Sequence, residues 1–200
     1  MFTGIVQGVG RIAHVAPAGD GVRIVVDLGV RKIADVALGD SICVNGCCLT
    51  VSAMDGASFS FDLSAETLRC TTGLDHPGDV NIELALRLAD RLGGHLTSGH
   101  VDGVGAVRRF AAIADDAYGS WLLEVEAPIA LARFIASKGS IAVNGVSLTV
   151  NEVAGASFTV NLIPHTLAVT TLNVLRPGSA VNLEVDMIAR YVARLAEFQD

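Results

Sequence analysis

The sequence predicts an all-β protein made of two homologous halves, each closing into a small barrel, with one helix at the C-terminal end. Three observations support this prediction: an internal repeat, a series of short apolar runs with alternation, and a scarcity of helical patterns. With 200 residues, 51% apolar and 18% charged, the chain can bury a core. It is also long enough for two domains of about 100 residues each.

The repeat appears when the chain is aligned with itself at an offset of 99 residues. Residues 39–72 then match residues 138–171 at 17 of 34 positions, including SICVNGCCLTV against SIAVNGVSLTV. At a nearby offset, GIVQGVGRI at 4–12 matches GHVDGVGAV at 99–107. A period this long that occurs twice indicates duplicated domains, since solenoid repeats run about 20 to 50 residues.

The seam between the halves falls near the glycine-rich segment GGHLTSGH at 93–100, where composition shifts toward turn-forming residues. We therefore predict a first barrel over residues 1–96, a second barrel over 97–185 and a C-terminal helix over 186–200.

Strands are predicted wherever short apolar runs rich in β-branched residues alternate with polar positions. The runs are GVRIVVDL, DSICVNGCCLTV, SFSFDL and DVNIELAL in the first half, and SWLLEVEA, SIAVNGVSLTV, SFTVNL and AVNLEV in the second. Asn45-Gly46 and Asn144-Gly145 suit the two-residue turn of type I′, which needs positive φ angles. Five or six strands per half, with little helix to cover a sheet, favour closure into a barrel without bare edges.

Helical patterns are few. VRKIADVAL at 30–38 and APIALARFIASKG at 127–139 occupy corresponding places in the two halves, the second with Pro128 in its first turn. The stretch from residue 186 is predicted to form an amphipathic helix, whose apolar face comprises Met187, Ile188, Tyr191, Val192 and Leu195.

Composition narrows the function classes. Lys and Arg total 14 against 21 Asp and Glu, a net charge of −7 that argues against a nucleic-acid partner. No apolar stretch has the length of a membrane span, and the start MFTGIVQGVG lacks the pattern of a signal peptide, so we expect a cytoplasmic protein without membrane contact. The cysteines show no CxxC pattern and are expected to be reduced thiols: Cys43, Cys47, Cys48 and Cys70.

Several unrelated motifs now occur in order along the chain: MFTGIV at the start, NGxxLTV in each half, GHLTSGH at the seam, then LIPHTL and LEVD. Together, over essentially the whole chain, they resemble riboflavin synthase. The resemblance implies two six-stranded antiparallel Greek-key barrels and a C-terminal helix about which a homotrimer assembles. It also implies a dismutation in which two molecules of 6,7-dimethyl-8-ribityllumazine exchange a four-carbon unit, giving riboflavin and 5-amino-6-(D-ribitylamino)uracil. No metal ion and no cofactor is expected, and an association with lumazine synthase is left open.

The resemblance assigns one lumazine to each half, which suits a reaction between two copies of one substrate. Hydroxyls and amides serve a neutral polyhydroxy ligand better than charge does. The first set of substrate-binding residues is Gly4, Ile5, Val6, Cys48, Leu49, Thr50, Asp62, Leu63, Ser64, Ala65, Glu66 and Thr67. The second set is Gly99, His100, Val101, Lys138, Ser147, Leu148, Thr149, Asn161, Leu162, Ile163, Pro164, His165 and Thr166. Each Ser or Thr among them can equally be an ordinary strand or turn hydroxyl. His165 departs from the family pattern, because Glu66 stands at the matching place in the first half.

Positions where the halves differ are the candidates for chemistry, because two identical sites could not make one lumazine the donor and the other the acceptor. In the repeat, Cys48 aligns with Ser147, Ile5 with His100, Gly39 with Lys138, and Ala85 with Asp186. We predict that His100 and Asp186 transfer protons and that Lys138 polarises or orients the substrate.

Three further assignments accompany these. Cys48 and Ser41 are predicted to assist at the first-half site, and the resemblance adds Phe2 to the reacting site. Three of the candidates for chemistry also have a plainer interpretation. His100 can be a turn residue, Cys48 a small buried side chain and Asp186 a helix N-cap. Since only a short linker joins the halves, we expect the two lumazines to meet between the first half of one chain and the second half of another.

Two other function classes are weighed against the enzyme. Relatives with duplicated barrels carry a lumazine or flavin as fluorescent proteins without catalysis, and fold alone does not separate them. A flavin-linked oxidoreductase is disfavoured, because the glycines of GVGRI and GVGAV lie in β-like segments and do not open a helix.

Overall fold

The computed structural model describes residues 1–29, 36–114 and 116–198, and these form two closed six-stranded antiparallel barrels followed by a helix. The fold class predicted from the sequence is confirmed.

The first barrel has the strand order β1-β2-β5-β4-β3-β6, in which the β2–β3 connection passes over two strands as in a Greek key. Its strands are β1 Gly8–Ala18, β2 Gly21–Asp27, β3 Ser41–Val44, β4 Cys47–Asp55, β5 Ser58–Leu63 and β6 Gly78–Leu84.

The second barrel repeats this order as β7-β8-β11-β10-β9-β12. Its strands are β7 Gly103–Ala112, β8 Trp121–Glu126, β9 Ser140–Val143, β10 Val146–Ala154, β11 Ser157–Leu162 and β12 Ala180–Val185. All the runs predicted as strands therefore lie on strands.

Each barrel encloses its own core because side chains alternate between the inside and the outside of every strand. On β5, Phe59, Phe61 and Leu63 are buried while Asp62 is exposed, and β11 shows the same alternation. Burial of one such apolar side chain contributes about 1.5 to 3 kcal/mol. The polar residues of the predicted sites consequently lie on the outer surfaces of the barrels.

The two Asn-Gly turns have the predicted conformation and meet each other between the barrels. Asn45 and Gly46 have φ angles of 50° and 89°, and Asn144 and Gly145 have 47° and 79°. A Cβ atom on Gly46 would lie 2.8 Å from the amide nitrogen of Gly145, so glycine is required for this approach as well as for the turn.

Buried asparagines join the barrels across the same contact. The side-chain amide of Asn81 donates to the carbonyl of Asn144 at 2.9 Å, and that of Asn182 donates to the carbonyl of Asn45 at 2.9 Å. Asn81 and Asn182 occupy matching places on β6 and β12, so the interface has approximate two-fold symmetry.

The helices differ in part from the prediction. Residues 127–139 form only a six-residue 3₁₀ helix, Ile129–Phe134, because the chain turns at Lys138 and Gly139 to enter β9. Of the segment predicted as a helix over 30–38, residues 30–35 lie outside the described residues. Two short helices that the sequence did not predict follow β5 and β11: α1 Ala65–Cys70 and α2 Pro164–Val169. A second 3₁₀ helix spans Thr171–Val174.

The C-terminal helix is present as α3, Met187–Ala196. Asp186 caps it, with its carboxylate accepting a hydrogen bond of 2.9 Å from the amide of Ile188. The guanidinium of Arg190 binds the Asp102 carboxylate at 2.7 Å and thereby holds α3 against the second barrel. Among the described residues, no helix is long and apolar enough to cross a bilayer.

Candidate functional site

The first residues of the chain are held by a buried glutamate of the first barrel. The Glu83 carboxylate accepts hydrogen bonds from the amide and hydroxyl of Thr3, both at 2.7 Å, and from the amide of Gly4 at 2.9 Å. Burial raises the pKa of Glu83, while the donors of Thr3 and Gly4 oppose that shift. The turn thus fixed has Gly4 at a φ of 72°.

A second buried glutamate binds the chain in the same way at the seam between the barrels. The Glu184 carboxylate accepts from the amide and hydroxyl of Ser98 at 2.7 and 2.6 Å, and from the amide of Gly99 at 2.9 Å. Gly99 has a φ of 75°, close to that of Gly4. Two equivalent carboxylates therefore position two equivalent glycine turns.

Each glycine turn lies on the opposite barrel. The amide of Ser147 in the second barrel donates to the carbonyl of Gly4 at 2.8 Å, and the amide of Cys48 in the first barrel donates to the carbonyl of Gly99 at 2.8 Å. Val6 packs against the second core and Val101 against the first.

This arrangement corrects the grouping expected from the sequence. The resemblance groups Gly4–Val6 with Cys48 and Thr50, but they lie beside Ser147, while the segment 99–101 lies beside Cys48. The reason is the exchange of glycine turns between the barrels, which the short fragments of sequence do not reveal.

The first-barrel surface is formed by β3, β4 and the turn into α1. Ser41 lies directly opposite Thr50 in the β3–β4 ladder, and Cys48 lies opposite Cys43, so these side chains share the outer face. Leu49 points inward and is buried. The structure therefore places Ser41, Cys48 and Thr50 on one face of the β3–β4 ladder.

Two sets of hydrogen bonds fix the side chains at the end of β5 and the start of α1, which border this surface. Ser64 caps α1, its hydroxyl accepting from the amide of Thr67 at 3.1 Å. The guanidinium of Arg23 holds both carboxylate oxygens of Asp62, at 2.7 and 2.9 Å. These hydrogen bonds and the charge of Arg23 hold the pKa of Asp62 below its usual value. In the second barrel the matching strand positions carry Leu122 and Asn161, which are also paired between β8 and β11.

The second-barrel surface is built on the equivalent strands β9 and β10 but carries different side chains. Ser147 and Thr149 share the outer face of β10 and lie opposite Ala142 and Ser140. The hydroxyl of Ser147 lies 2.7 Å from Nδ1 of His95, a residue that is only 9% exposed. Among the described residues no histidine is bonded to Cys48, so the imidazole distinguishes the two surfaces.

Lys138 lies at the edge of an open groove of about 570 Å³ on the second barrel, which Asn161, Arg109 and Asn151 also line. Its φ is 66°, where Gly39 in the first barrel has 88°. A left-handed conformation costs an L-residue roughly 1 to 2 kcal/mol. Lys138 therefore carries backbone strain that the glycine at the matching turn of the first barrel avoids.

The remaining predicted residues are placed as follows. His100 is exposed beside Gly99, and no hydrogen bond joins it to Asp186 among the described residues; Asp186 caps α3. Phe2 is fully buried and pairs through its main chain with Thr97 at 2.9 and 3.1 Å. With no exposed surface in the single chain, its ring can position Thr3 and Gly4 but cannot present atoms to a ligand there.

Sequence reasoning missed His95, Glu83 and Glu184. The two glutamates carried a signal, since each stands within an apolar run that repeats as VNIE and VNLE. A charged residue inside a buried strand needs partners, and here it finds the glycine turns. His95 lies between the aligned repeat blocks, so comparison of the halves did not reach it.

Comparison with known proteins decides the family. A model of the lumazine binding domain matches this chain twice, over residues 3–85 and 98–186. The chain belongs to the lumazine-binding domain family. The two matches coincide with the two barrels, so each barrel is one lumazine-binding domain.

Relatives named riboflavin synthase match this chain over most of their own length. A riboflavin synthase of Photobacterium phosphoreum is 41% identical over 98% of this chain and 88% of the relative. A riboflavin synthase of Mycobacterium tuberculosis is 42% identical over 98% of both chains, and one of Brucella abortus is 39% identical over 100% of both.

Solved structures that are similar to this chain contain ligands. LumP complexed with riboflavin matches with a TM-score of 0.81 and 31% identity, over 92% of this chain and 99% of LumP. LumP complexed with 6,7-dimethyl-8-(1'-D-ribityl) lumazine matches with a TM-score of 0.80 and 29% identity over the same shares of the two chains.

Proposed function

We propose that this protein is an enzyme with riboflavin synthase activity, a transferase that moves a four-carbon unit between two molecules of 6,7-dimethyl-8-ribityllumazine. The products are riboflavin and 5-amino-6-(D-ribitylamino)uracil. Together they contain the atoms of the two lumazines, so the reaction consumes no external oxidant.

The observation that carries this proposal is the pairing of two equivalent surfaces that differ at the reacting positions. Both barrels present a strand hydroxyl or thiol next to a glycine turn of the other barrel, yet one has Cys48 and the other has Ser147 with His95. Two matched sites suit two copies of one substrate, and their difference suits separate donor and acceptor roles. Relatives named riboflavin synthase match across the whole chain.

We expect the protein to accelerate the reaction mainly by orienting the two lumazines. Side chains that transfer protons contribute in addition. Holding two reactants in register gives effective molarities that reach about 10⁵ to 10⁸ M in favourable intramolecular cases. In this proposal Cys48 and Ser41 act at the first-barrel surface, and Thr50 and Thr149 recognise the ligand in both barrels. His100, Lys138 and Asp186 supply acid–base and electrostatic assistance.

We further propose that the working enzyme is a homotrimer. The apolar face of α3 is exposed in the single chain: Ile188, Tyr191, Val192 and Leu195 are 60 to 71% exposed. A contiguous apolar face of this kind is typical of a protein interface. Both candidate surfaces are also open, with Thr50, Asn161 and His165 exposed, so stacking two lumazines away from water needs a second chain. We place the reacting pair between the first barrel of one subunit and the second barrel of another, and the enzyme in the cytoplasm.

A second candidate function is ligand carriage without turnover. The likeness to LumP bound to riboflavin and to a lumazine favours it, because the fold is shared with proteins seen holding these ligands. Presence of reactive residues on both surfaces favours the enzyme.

The test mixes the purified full chain with the lumazine and follows riboflavin by its absorbance. Riboflavin formation with multiple turnovers supports the enzyme. Saturable lumazine binding with no riboflavin formed supports ligand carriage and contradicts the proposed activity.

A further inference from the structure

A buried histidine with an unsatisfied ring nitrogen stands behind the second-barrel surface. Nδ1 of His95 lies 2.7 Å from the hydroxyl oxygen of Ser147, and the main-chain amide of His95 donates to the carbonyl of Thr3 at 3.1 Å. Nε2 is buried and has no hydrogen-bond partner within the described part of the chain. Unsatisfied buried polar atoms are uncommon in proteins, and each one calls for an explanation.

The surroundings of His95 hold its ring in place. A Cβ atom on Gly94 would lie 2.2 Å from the carbonyl oxygen of Thr3 and 2.8 Å from the hydroxyl of Ser147. Only glycine fits there, so the chain approaches β10 closely enough for the imidazole to reach Ser147. The Gly4 carbonyl binds the amide of the same serine. Ser147 is thus fixed through both its main chain and its side chain.

The tautomer of His95 determines whether its Nδ1 accepts or donates the hydrogen bond to Ser147. The carboxylates of Asp186 and Glu184 are the acidic groups that act on His95. Of the two neutral tautomers, the one with its proton on Nε2 leaves Nδ1 free to accept the hydrogen bond of the Ser147 hydroxyl.

We propose, building on the proposed riboflavin synthase activity, that His95 is a positioning residue that makes Ser147 a proton relay at the second-barrel site. The lumazine bound there would lose a proton from its acidic C7 methyl group to Oγ of Ser147. In the same step the hydroxyl proton of Ser147 would pass to Nδ1 of His95. The lumazine is left as its carbanion, serine is regenerated, and the imidazole becomes an imidazolium. Return of the proton by the same path restores the neutral ring.

The electrostatics suit this cycle. Burial lowers the pKa of His95, while Asp186 and Glu184 oppose that shift, so the ring is neutral near pH 7 and ready to accept a proton. Once formed, the imidazolium is stabilised by the same two carboxylates. Cys48 on the first barrel lacks such a partner among the described residues, which assigns proton removal to the second barrel.

The central experiment compares His95→Asn, Ser147→Ala and the double variant with wild type in the full chain. Asparagine keeps an acceptor near the place of Nδ1 but cannot take a proton. His14→Asn, at an exposed position on β1, is the matched control. Single-turnover riboflavin formation is measured at saturating lumazine between pH 5 and pH 8, and lumazine affinity is measured by fluorescence titration on the same samples.

We expect each single variant to lose about 10²- to 10⁴-fold in rate. Lumazine affinity should change by less than about threefold, since the relay acts mainly in the transition state. The double variant should be no slower than the slower single variant, because the two residues act as one unit. The wild-type rate should fall on the acidic side with a pKa below the ordinary 6.5 of histidine, and this limb should be absent in His95→Asn. Equal rates in His95→Asn and wild type, or additive losses, would overturn the proposal.

A spectroscopic measurement needs no turnover. Nitrogen-15 NMR of the imidazole should show a neutral ring protonated on Nε2 at pH 7, with the Nδ1 resonance displaced in Ser147→Ala. A ring protonated on Nδ1 would overturn the relay. A wild-type protein that binds lumazine and forms no riboflavin contradicts the proposed activity, and the relay with it, whereas failure of the relay alone appears as an active wild type with unaffected variants.

Discussion

The amide of Ser147 donates a hydrogen bond of 2.8 Å to the carbonyl of Gly4, so the beginning of the chain is built into the surface of the second barrel. In the equivalent contact on the other barrel, the amide of Cys48 donates to the carbonyl of Gly99 at the same distance. Each candidate surface is therefore composed of strands from one barrel and a glycine turn anchored in the other. A substitution that moves the glycine turn anchored in one barrel should therefore alter the candidate surface on the other barrel.

Gly4→Ala should disturb the second-barrel site selectively. Its φ of 72° is unfavourable for alanine, and the added Cβ would lie 2.6 Å from Cβ of Ser147. Gly19→Ala is the control, because Gly19 has a φ of 63° with no atom within 4 Å of the added Cβ. We expect Gly4→Ala to lower the free energy of unfolding by about 1 to 3 kcal/mol more than the control, and to weaken lumazine binding. Denaturant titration and fluorescence titration measure the two effects; equal effects of both substitutions on stability and affinity would show that Gly4 does not shape the surface.

Adjacent cysteines on β4 should differ in reactivity. Cys47 points into the core and is 7% exposed, and burial raises its pKa to about 12; Cys48 is half-buried on the outer face. Since thiolates are the reactive form, iodoacetamide at pH 8 should label Cys48 and leave Cys47 intact. Lumazine should slow the labelling of Cys48. Peptide mass spectrometry identifies the modified residue, and labelling of Cys48 that is indifferent to lumazine would remove it from the site.

Lys138→Gly should stabilise the protein and impair its function. Glycine relieves the left-handed strain at a φ of 66°, so we expect the free energy of unfolding to rise by about 1 kcal/mol. Gly39→Lys, at the matching turn of the first barrel, should lower the free energy of unfolding by a similar amount. The φ of 88° at this position is strained for lysine, and the free space around it means that no steric clash is added. Riboflavin formation should decrease in Lys138→Gly. Full activity in the more stable variant would show that the lysine is dispensable.

Cys48→Ser and Thr50→Val should separate chemistry from recognition. Cys48→Ser is expected to reduce kcat by about 10²-fold or more, because in the proposed function the thiol assists the reaction at the first-barrel surface, while lumazine affinity stays nearly unchanged. Thr50→Val removes one neutral hydrogen bond and should weaken binding by about 0.5 to 1.5 kcal/mol. Single-turnover kinetics and fluorescence titration are run on the same samples. A Cys48→Ser variant with wild-type kcat would return this residue to a packing role.

The fold could be predicted because its determinants are local and repeated. Asn45-Gly46 and Asn144-Gly145 specify the turns, and the alternation in SFSFDL and SFTVNL specifies which face is buried. The segment 127–139 was overestimated as a helix, because its apolar spacing does not show that the chain must turn into β9 at Gly139.

The candidate site was only partly predictable. The repeat identified Cys48 and Ser147 as one of four pairs of positions at which the two halves differ. It could not show that Gly4 crosses to the second barrel, because that contact depends on Glu83, about 80 residues away, and on how the barrels pack. His95 was missed for the same reason: its importance lies in a tertiary contact with Ser147.

The stoichiometry of the reaction tests most directly whether two lumazines react with each other on this protein. Purified protein is incubated with 6,7-dimethyl-8-ribityllumazine under conditions of many turnovers, and substrate and both products are quantified by chromatography. The account predicts one riboflavin and one 5-amino-6-(D-ribitylamino)uracil for every two lumazines consumed. Lumazine that binds saturably and is recovered unchanged would contradict it.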